Sequence, residues 1–345
     1  MFSLKKITIL SLVFLITSLA GLGCKSDDKT GGIFVSRDKG ETWEQKVFVR
    51  QDNKDTITIS ELNINKIIQD KLNENNFFIA TSSDGIYRTV DGGEQWIKVG
   101  LSGNVADISI DPSNATTLIA AKGEVIYKTE QNFEKIDSIY IDPEKSGITS
   151  VIIDTYNPKR YFAANRSGQV IVSQDAGTTW SSLYQFNEEI KKVYQSTQDT
   201  RVLYVVTTKN LYKSTDAGVG WEKLTDNLKS FKNAKKIHQL FIDPSNYSHF
   251  LLATDYGLLM SQDGGLSYNP INTLVPSGNS IEIFTVNPDN LNEIYFAVSN
   301  IIHKSIDGGN SWKTIETLGS RRSVSYILID EVVADTILIG VSSSK

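Results

Sequence analysis

The chain has 345 residues, 35 Lys and Arg against 40 Asp and Glu, a formal charge of −5 and one cysteine. The acidic balance argues against nonspecific binding of nucleic acid. A single cysteine excludes a disulfide framework within the chain, so packing must supply the stability.

Residues 1–23 read as a secretory signal. Lys5 and Lys6 precede an apolar stretch, residues 7–20, that is too short to span a membrane comfortably. Losing both lysines takes the formal charge from −5 to −7. Cys24, the only cysteine, follows the small residues of Leu19-Ala-Gly-Leu-Gly23. This resembles a bacterial lipoprotein signal, in which the cysteine is lipidated and becomes the new N-terminus; Gly21 departs from the leucine that this family prefers. The resemblance implies a lipid on Cys24 and a place in the cell envelope on the extracytoplasmic side, in the periplasm, outer membrane or cell surface. Lys25 after the cysteine implies passage to an outer membrane, by analogy with enterobacterial sorting. Residues 24–30 are then the lipidated cysteine and its tether, whose six residues beyond Cys24 reach about 20 Å at roughly 3.3 to 3.6 Å each.

The rest, residues 31–345, is built from one repeated phrase. All five tryptophans close a copy of it: Ser36-x-Asp38-x-Gly40-x-x-Trp43, Thr89-x-Asp91-x-Gly93-x-x-Trp96, Ser173-x-Asp175-x-Gly177-x-x-Trp180, Ser214-x-Asp216-x-Gly218-x-x-Trp221 and Ser305-x-Asp307-x-Gly309-x-x-Trp312. A sixth copy, Ser261, Asp263, Gly265 and Tyr268, carries a phenol for the indole, and a seventh at Thr129 lacks both Asp and Gly. Three residues before each hydroxyl stands an aliphatic residue: Ile33, Ile86, Ile126, Val170, Leu211, Leu258 or Ile302. Mostly bulky strand formers follow it. Farther upstream, strand-like pairs flank turns such as Asp111-Pro-Ser-Asn114, Asp243-Pro-Ser-Asn246 and Asn287-Pro-Asp-Asn290. Each unit therefore holds four short antiparallel strands, and the phrase is the hairpin between the third and fourth. Its Asp accepts from nearby backbone N–H groups, its glycine takes a positive φ, and its tryptophan buries roughly 150 to 250 Å², about 4 to 6 kcal/mol before entropy.

The phrase resembles the Asp-box, or bacterial neuraminidase repeat, of sialidases, sortilin, xyloglucan hydrolases and photosystem II assembly factors. In those families it is a structural turn on the blade periphery, away from the ligand face. The chain opens at Gly31 on a third strand with its turn and closes on residues 324–329 and 336–341, which read as first and second strands with nothing after them. The expected fold is an all-β, seven-bladed propeller closed by a blade that joins both ends of the chain, at about 45 residues per blade.

The chemistry expected from the residues is sparse. His238, His249 and His303 have no second ligand at metal spacing, and one carboxylate per isolated turn falls short of the six to eight oxygens of calcium, so neither metal nor cofactor is expected. No Gly-x-Ser-x-Gly elbow or phosphate loop occurs. The resemblance makes sialidase the obvious enzyme, yet the Arg-Ile-Pro segment of sialidases is absent and arginine is scarce. A xyloglucan-type hydrolase needs two carboxylates about 5 to 10 Å apart in a cleft, placed by those enzymes between two propellers. The loops opposite the repeated turns remain. Residues 224–236 carry Lys229, Phe231, Lys232, Lys235 and Lys236, residues 315–323 carry Arg321 and Arg322, and residues 136–147 carry Tyr140. The reading is a monomeric, lipid-anchored binding or assembly scaffold, without catalytic residues, that recognises a protein or glycan on that face. The alternative is a carbohydrate-active enzyme, a glycoside hydrolase. Among known groups the chain looks most like the photosystem II assembly factors, but their arginine-lined binding patch is not reproduced, so a general scaffolding role is the expectation.

Overall fold

Each first strand alternates buried and half-buried residues, each second strand is buried throughout most of its length, and the outermost strand is short and exposed. This gradient is what a stack of sheets around an axis requires. The computed structural model describes residues 30–273, 275, 280–315 and 318–343; Cys24 and the signal segment lie outside them. The described chain forms seven four-stranded antiparallel sheets, the blades of a propeller. Blade 1 comprises Ile64–Gln69, Phe77–Thr81, Ile86–Thr89 and Ile97–Lys98, and blade 2 Asp107–Asp111, Asn114–Lys122, Val125–Glu130 and Lys135–Ile141. Blades 3, 4, 5 and 6 begin at Ile148–Ile153, Ile190–Gln195, Ile237–Ile242 and Ile283–Asn287 and follow the same up-and-down order.

Blade 7 closes the ring. Ser323–Ile329 and Ile337–Ser342 are its first two strands, and Gly32–Ser36 and Glu44–Gln45, from the start of the chain, are its third and fourth. Ile33 pairs with Gly340 and Val35 with Leu338. The core is divided among the seams between blades. Phe34 packs with Ile327 and Tyr295 between blades 6 and 7, whereas Ile33 and Val35 pack with Ile64, Ile67 and Ile79 between blades 7 and 1.

Six repeated turns share one hydrogen-bond pattern. In the first, Ser36 Oγ donates to Asp38 Oδ1 at 2.7 Å and accepts from Gly40 N at 2.7 Å, while Asp38 Oδ1 accepts from Thr42 N at 2.8 Å. The same three bonds recur at Thr89, Ser173, Ser214, Ser261 and Ser305. The glycine has a positive φ throughout, 86° at Gly40, and so does the residue before it, including the non-glycine Lys39, Ala176 and Ala217. That preceding residue donates its N–H to the turn between strands one and two of the same blade; Lys39 N, for example, reaches Asp335 O at 2.9 Å. The bond repays the left-handed backbone.

The indoles are not equally buried. Trp96 is fully buried, because the connection from blade 7 to blade 1 folds into an additional hairpin, Phe48–Asp52 with Asp55–Thr58. Phe48 O accepts from Trp96 N and Lys46 O from the indole N–H. Trp43, Trp180, Trp221 and Trp312 are half-buried, so the full transfer free energy belongs to Trp96 alone. The degenerate turn after Thr129 is a 3-10 turn, Gln131–Phe133, with Gln131 and Phe133 at positive φ. Phe133 packs against Phe78 beneath the Arg88 guanidinium.

The carboxyl of Asp307 is held down at about 2 by the Ser311 hydroxyl and N–H and by Ser305. A folded pKa below the unfolded one stabilises fully above pH ~4 and loses that contribution as pH falls toward 2. Asp307→Asn is therefore expected to lower the unfolding midpoint at pH 7, with the gap to the parent closing between pH ~4 and ~2. Thermal melts across that range check it, and a gap that stays constant contradicts it.

Candidate functional site

Strand direction assigns the two faces. The repeated turns and the turns between strands one and two lie on one face; the turns between strands two and three and the links between blades lie on the other. The longest fully described link on this second face, after the one carrying the extra hairpin, is residues 224–236 between blades 4 and 5. Leu224 packs in the seam between those blades with Leu228 and Ala234, and Thr225 Oγ1 donates to Asn210 Oδ1 at 2.7 Å, which pins the short 3-10 turn Thr225–Leu228. Leu228 and Ala234, both fully buried, pull the loop down at two points, and the residues between them stand up as a ridge.

Phe231 packs edge-on to Tyr256 of blade 5 at 5.1 Å. Lys232 and Lys235 are exposed and have no ion-pair partner among the described residues. Lys229 lies 3.6 Å from Asp226 and Lys236 3.1 Å from Asp255, which also takes His238 Nε2 at 2.6 Å. One open crevice of about 670 Å³ lies on the side of the ridge lined by Lys209, Phe231, Lys235 and Lys236. A second, about 690 Å³, is lined by Lys232, Asn233, Tyr256, Pro270 and Ile271.

The other loop candidates fare differently. Arg321 is exposed, but Arg322 donates to Glu61 O at 3.0 Å and so ties blade 7 to the link entering blade 1. Both arginines belong to the link between blades 6 and 7, not to the ridge. Of residues 136–147, expected as a loop, the first half belongs to the outer strand Lys135–Ile141 and the second half is the link to blade 3, and Tyr140 packs against Trp180 at 5.5 Å. A sequence without a turn signal between Ile136 and Ile141 carried that information. The carboxylates near the ridge are engaged: Glu188 takes Thr207 and Asn210, and Glu189 takes Arg166 at 2.8 Å. His303 stacks on Phe296 at 4.7 Å, where burial lowers its pKa, and His249 lies 3.5 Å from Asp243. Among the described residues no three His, Cys, Asp or Glu side chains are grouped to hold a metal.

A second charged centre, absent from the sequence reading, lies on the axis. At one register position the innermost strands carry Lys66, Asp107, Ser150, Lys192, Gln239, Ile283 and Tyr326, opposite Ala80, Ala121, Ala164, Val206, Ala253, Ala297 and Gly340. A β-bulge precedes five of them and re-aims the side chain. These residues and their neighbours cap the free inner edge of the next blade. Asp107 Oδ2 accepts from Val151 N at 3.0 Å, Ser150 Oγ from Val193 N at 3.2 Å, Gln239 Oε1 from Phe284 N at 2.9 Å and Tyr194 Oη from Leu240 N at 3.3 Å. Where the residue is a donor it caps a carbonyl: Lys66 Nζ reaches Ile108 O at 2.7 Å and Ser325 Oγ reaches Ile64 O at 2.7 Å.

Asp107 is wholly buried, and its Oδ1 takes Lys66 Nζ at 2.6 Å and Lys192 Nζ at 2.7 Å. Burial alone would raise its pKa, but the Lys192 and Lys66 ammoniums outweigh it and hold the carboxyl at about 2. Burial lowers the pKa of Lys192 in turn. The trio carries one net positive charge.

No family model matches the chain, and no curated protein matches it. Solved structures do. A GH74 xyloglucanase from Xanthomonas campestris is 13% identical with a TM-score of 0.66, over 81% of this chain and 51% of that one. An ancestral GH74 enzyme is 14% identical with a TM-score of 0.67, over 84% and 44%. YCF48 bound to D1 peptide is 12% identical with a TM-score of 0.65, over 86% and 100%. At such identities the likeness is one of fold. The chain spans about half the length of the GH74 enzymes and matches YCF48 over its whole length.

Removing the axial carboxylate should be costly, because it leaves two ammoniums together and Val151 N without its anionic acceptor. Asp107→Asn is expected to lose about 3 to 5 kcal/mol in urea unfolding. Lys192→Met, which leaves Asp107 paired with Lys66, is expected to lose less. Equal losses would argue against the trio as the axial keystone.

Proposed function

We propose that the protein is a non-catalytic binding or assembly scaffold, anchored by a lipid on Cys24 at the extracytoplasmic side of a membrane, whose face opposite the repeated turns recognises an acidic ligand, a protein or glycan. The observation that carries this reading is the ridge at residues 224–236. Exposed Lys232 and Lys235 beside Phe231 and Tyr256 form a cationic, aromatic surface on an acidic protein, flanked by two open crevices. YCF48, matched over its whole length, is a protein whose structure holds a peptide.

The tether adds a direction. Gly32 pairs with Val341, at the end of blade 7 away from the repeated turns, so the chain enters the propeller on the ligand-binding face. With about 20 Å of tether, this face is turned toward the bilayer, which favours a partner held close to the same membrane.

The alternative, a glycoside hydrolase, draws on the likeness to the GH74 enzymes. A hydrolase site at the ridge needs two carboxylates free to act as acid and base, whereas the carboxylates beside the ridge, Glu188, Glu189 and Asp255, are engaged by Thr207 and Asn210, by Arg166, and by Lys236 with His238.

Lys235→Glu with Arg321→Glu is expected to abolish recovery of the partner after crosslinking on intact cells, and unchanged recovery refutes the basic face. Cys24→Ser is expected to release the protein into the soluble fraction, and retention on membranes refutes the lipid anchor.

A further inference from the structure

The axial channel has a floor and walls of opposite character. Two adjoining cavities, about 360 and 440 Å³, share Lys71, Tyr194, Gln195, Tyr326, Leu328 and Glu331, and so form one space. Pro112, Pro244 and Pro288, in the turns between first and second strands, line its outer end, so it opens on the face of the repeated turns. Its walls, one register step beyond the polar ring, are Ile68, Ile152, Tyr194, Phe241 and Leu328, interrupted by Ser109 and Thr285. Lys66, Lys192 and Tyr326 stand at its inner end.

The two ammoniums at that end spend only part of their donors on protein acceptors. Each ammonium has three N–H donors. Lys66 uses two, on Asp107 Oδ1 and Ile108 O, and Lys192 uses one, on Asp107 Oδ1. Three donors and one net positive charge thus face the channel. The side chains of Lys192 and Lys66 keep 29% and 16% of their accessible surface, so the channel reaches them. Burial, with the neighbouring Lys66 ammonium, lowers the pKa of Lys192 against the pull of Asp107. At the mouth, Glu331 is neutralised by Lys71 at 2.5 Å, and Asp111 is capped by Ser113. Asp111 and Asp289 leave the rim acidic, so an anion is favoured only at the floor.

We propose that this channel is a second binding site, independent of the basic face, for an amphiphilic monocarboxylate whose apolar body lies against Ile68, Ile152, Phe241 and Leu328 and whose carboxylate meets Lys192 and Lys66. A monoanion neutralises the trio, whereas a phosphate dianion would leave the floor negative. The apolar walls select a hydrocarbon body over a hydrated one. Two sources share this chemistry, a fatty acid and the C-terminus of an apolar peptide.

The Cys24→Ser chain, titrated calorimetrically with octanoate, octan-1-ol and N-acetyl-leucyl-leucine, tests the site. Saturable one-to-one binding of octanoate, of the dipeptide or of both is expected, with octan-1-ol at least tenfold weaker. Octanoate alone identifies a fatty-acid site and the dipeptide alone a peptide-terminus site. Lys192→Met is expected to weaken the bound acid at least tenfold, and Lys235→Glu to leave it unchanged. Lys66→Met serves the same purpose should Lys192→Met fail to fold. Absence of saturable binding by either acid, equal binding of octan-1-ol, or full affinity in the lysine variants overturns the proposal.

Discussion

This ring of sheets is closed by a blade that holds both the first and the last strands of the chain. Here Gly32–Ser36 sits between Ile337–Ser342 and Glu44–Gln45, and all five of its residues are buried. Alternation along this strand sends Ile33 and Val35 into one seam and Phe34 into the other, so a five-residue segment completes two of the seven seams. Losing it would expose both faces of blade 7 and break its ladder to Ile337–Ser342 at once. The seven seams are therefore coupled through the closure even though each has its own apolar cluster.

Closing the ring leaves seven inner edges facing the axis. An unpaired edge N–H or C=O shielded from bulk water costs about as much as a lost hydrogen bond, so the inner edges need partners. Side chains from the preceding blade supply them at the inner edges of blades 1 to 6, and which kind is used depends on what that blade offers. Asp107, Ser150, Gln239 and Tyr194 offer acceptors to the N–H of the following strand; Lys66, having none, reaches a carbonyl instead. Asp107 takes Val151 N as well as Ile108 N, and the cost of burying its charge is offset by two lysines from separate blades. The axial electrostatics thus follow from capping an edge.

The sequence announces the outer part of each blade and says little of the inner part. Serine, aspartate, glycine and tryptophan recur at fixed spacing because one turn geometry needs all four, and closure can be read from strands missing at one end and left over at the other. The axial ring has no such signature. The first strands mix polar residues among apolar ones, three of six in Ile64–Gln69, and nothing in a single strand shows which of them faces the axis or that Lys66 meets Asp107 across 41 residues. Indole burial was illegible for a similar reason. Trp96 differs from Trp312 through the hairpin folded over it, which lies outside the repeat. At the ridge the lysines were visible, but the Asp255 that engages Lys236 comes from the neighbouring blade's own turn.

These constraints distribute chemical freedom unequally. On the face of the repeated turns, hydroxyl, carboxylate and glycine are all consumed in holding backbone, and the N–H before each glycine is bonded to the adjacent turn of its own blade. Little there can change without loosening a blade. On the opposite face the links run from the short passage between Gln185 and Ile190 to the ridge at residues 224–236, and the strands tolerate that range because each link must only bring the chain back to the axis. The channel falls between these cases. Four of its ring positions, Lys66, Asp107, Ser150 and Gln239, cap an edge, and a donor or an acceptor serves there, so the sign of the axial charge is left open by the fold. A positive floor is therefore set by the side chains at Lys66 and Lys192 and not by the architecture.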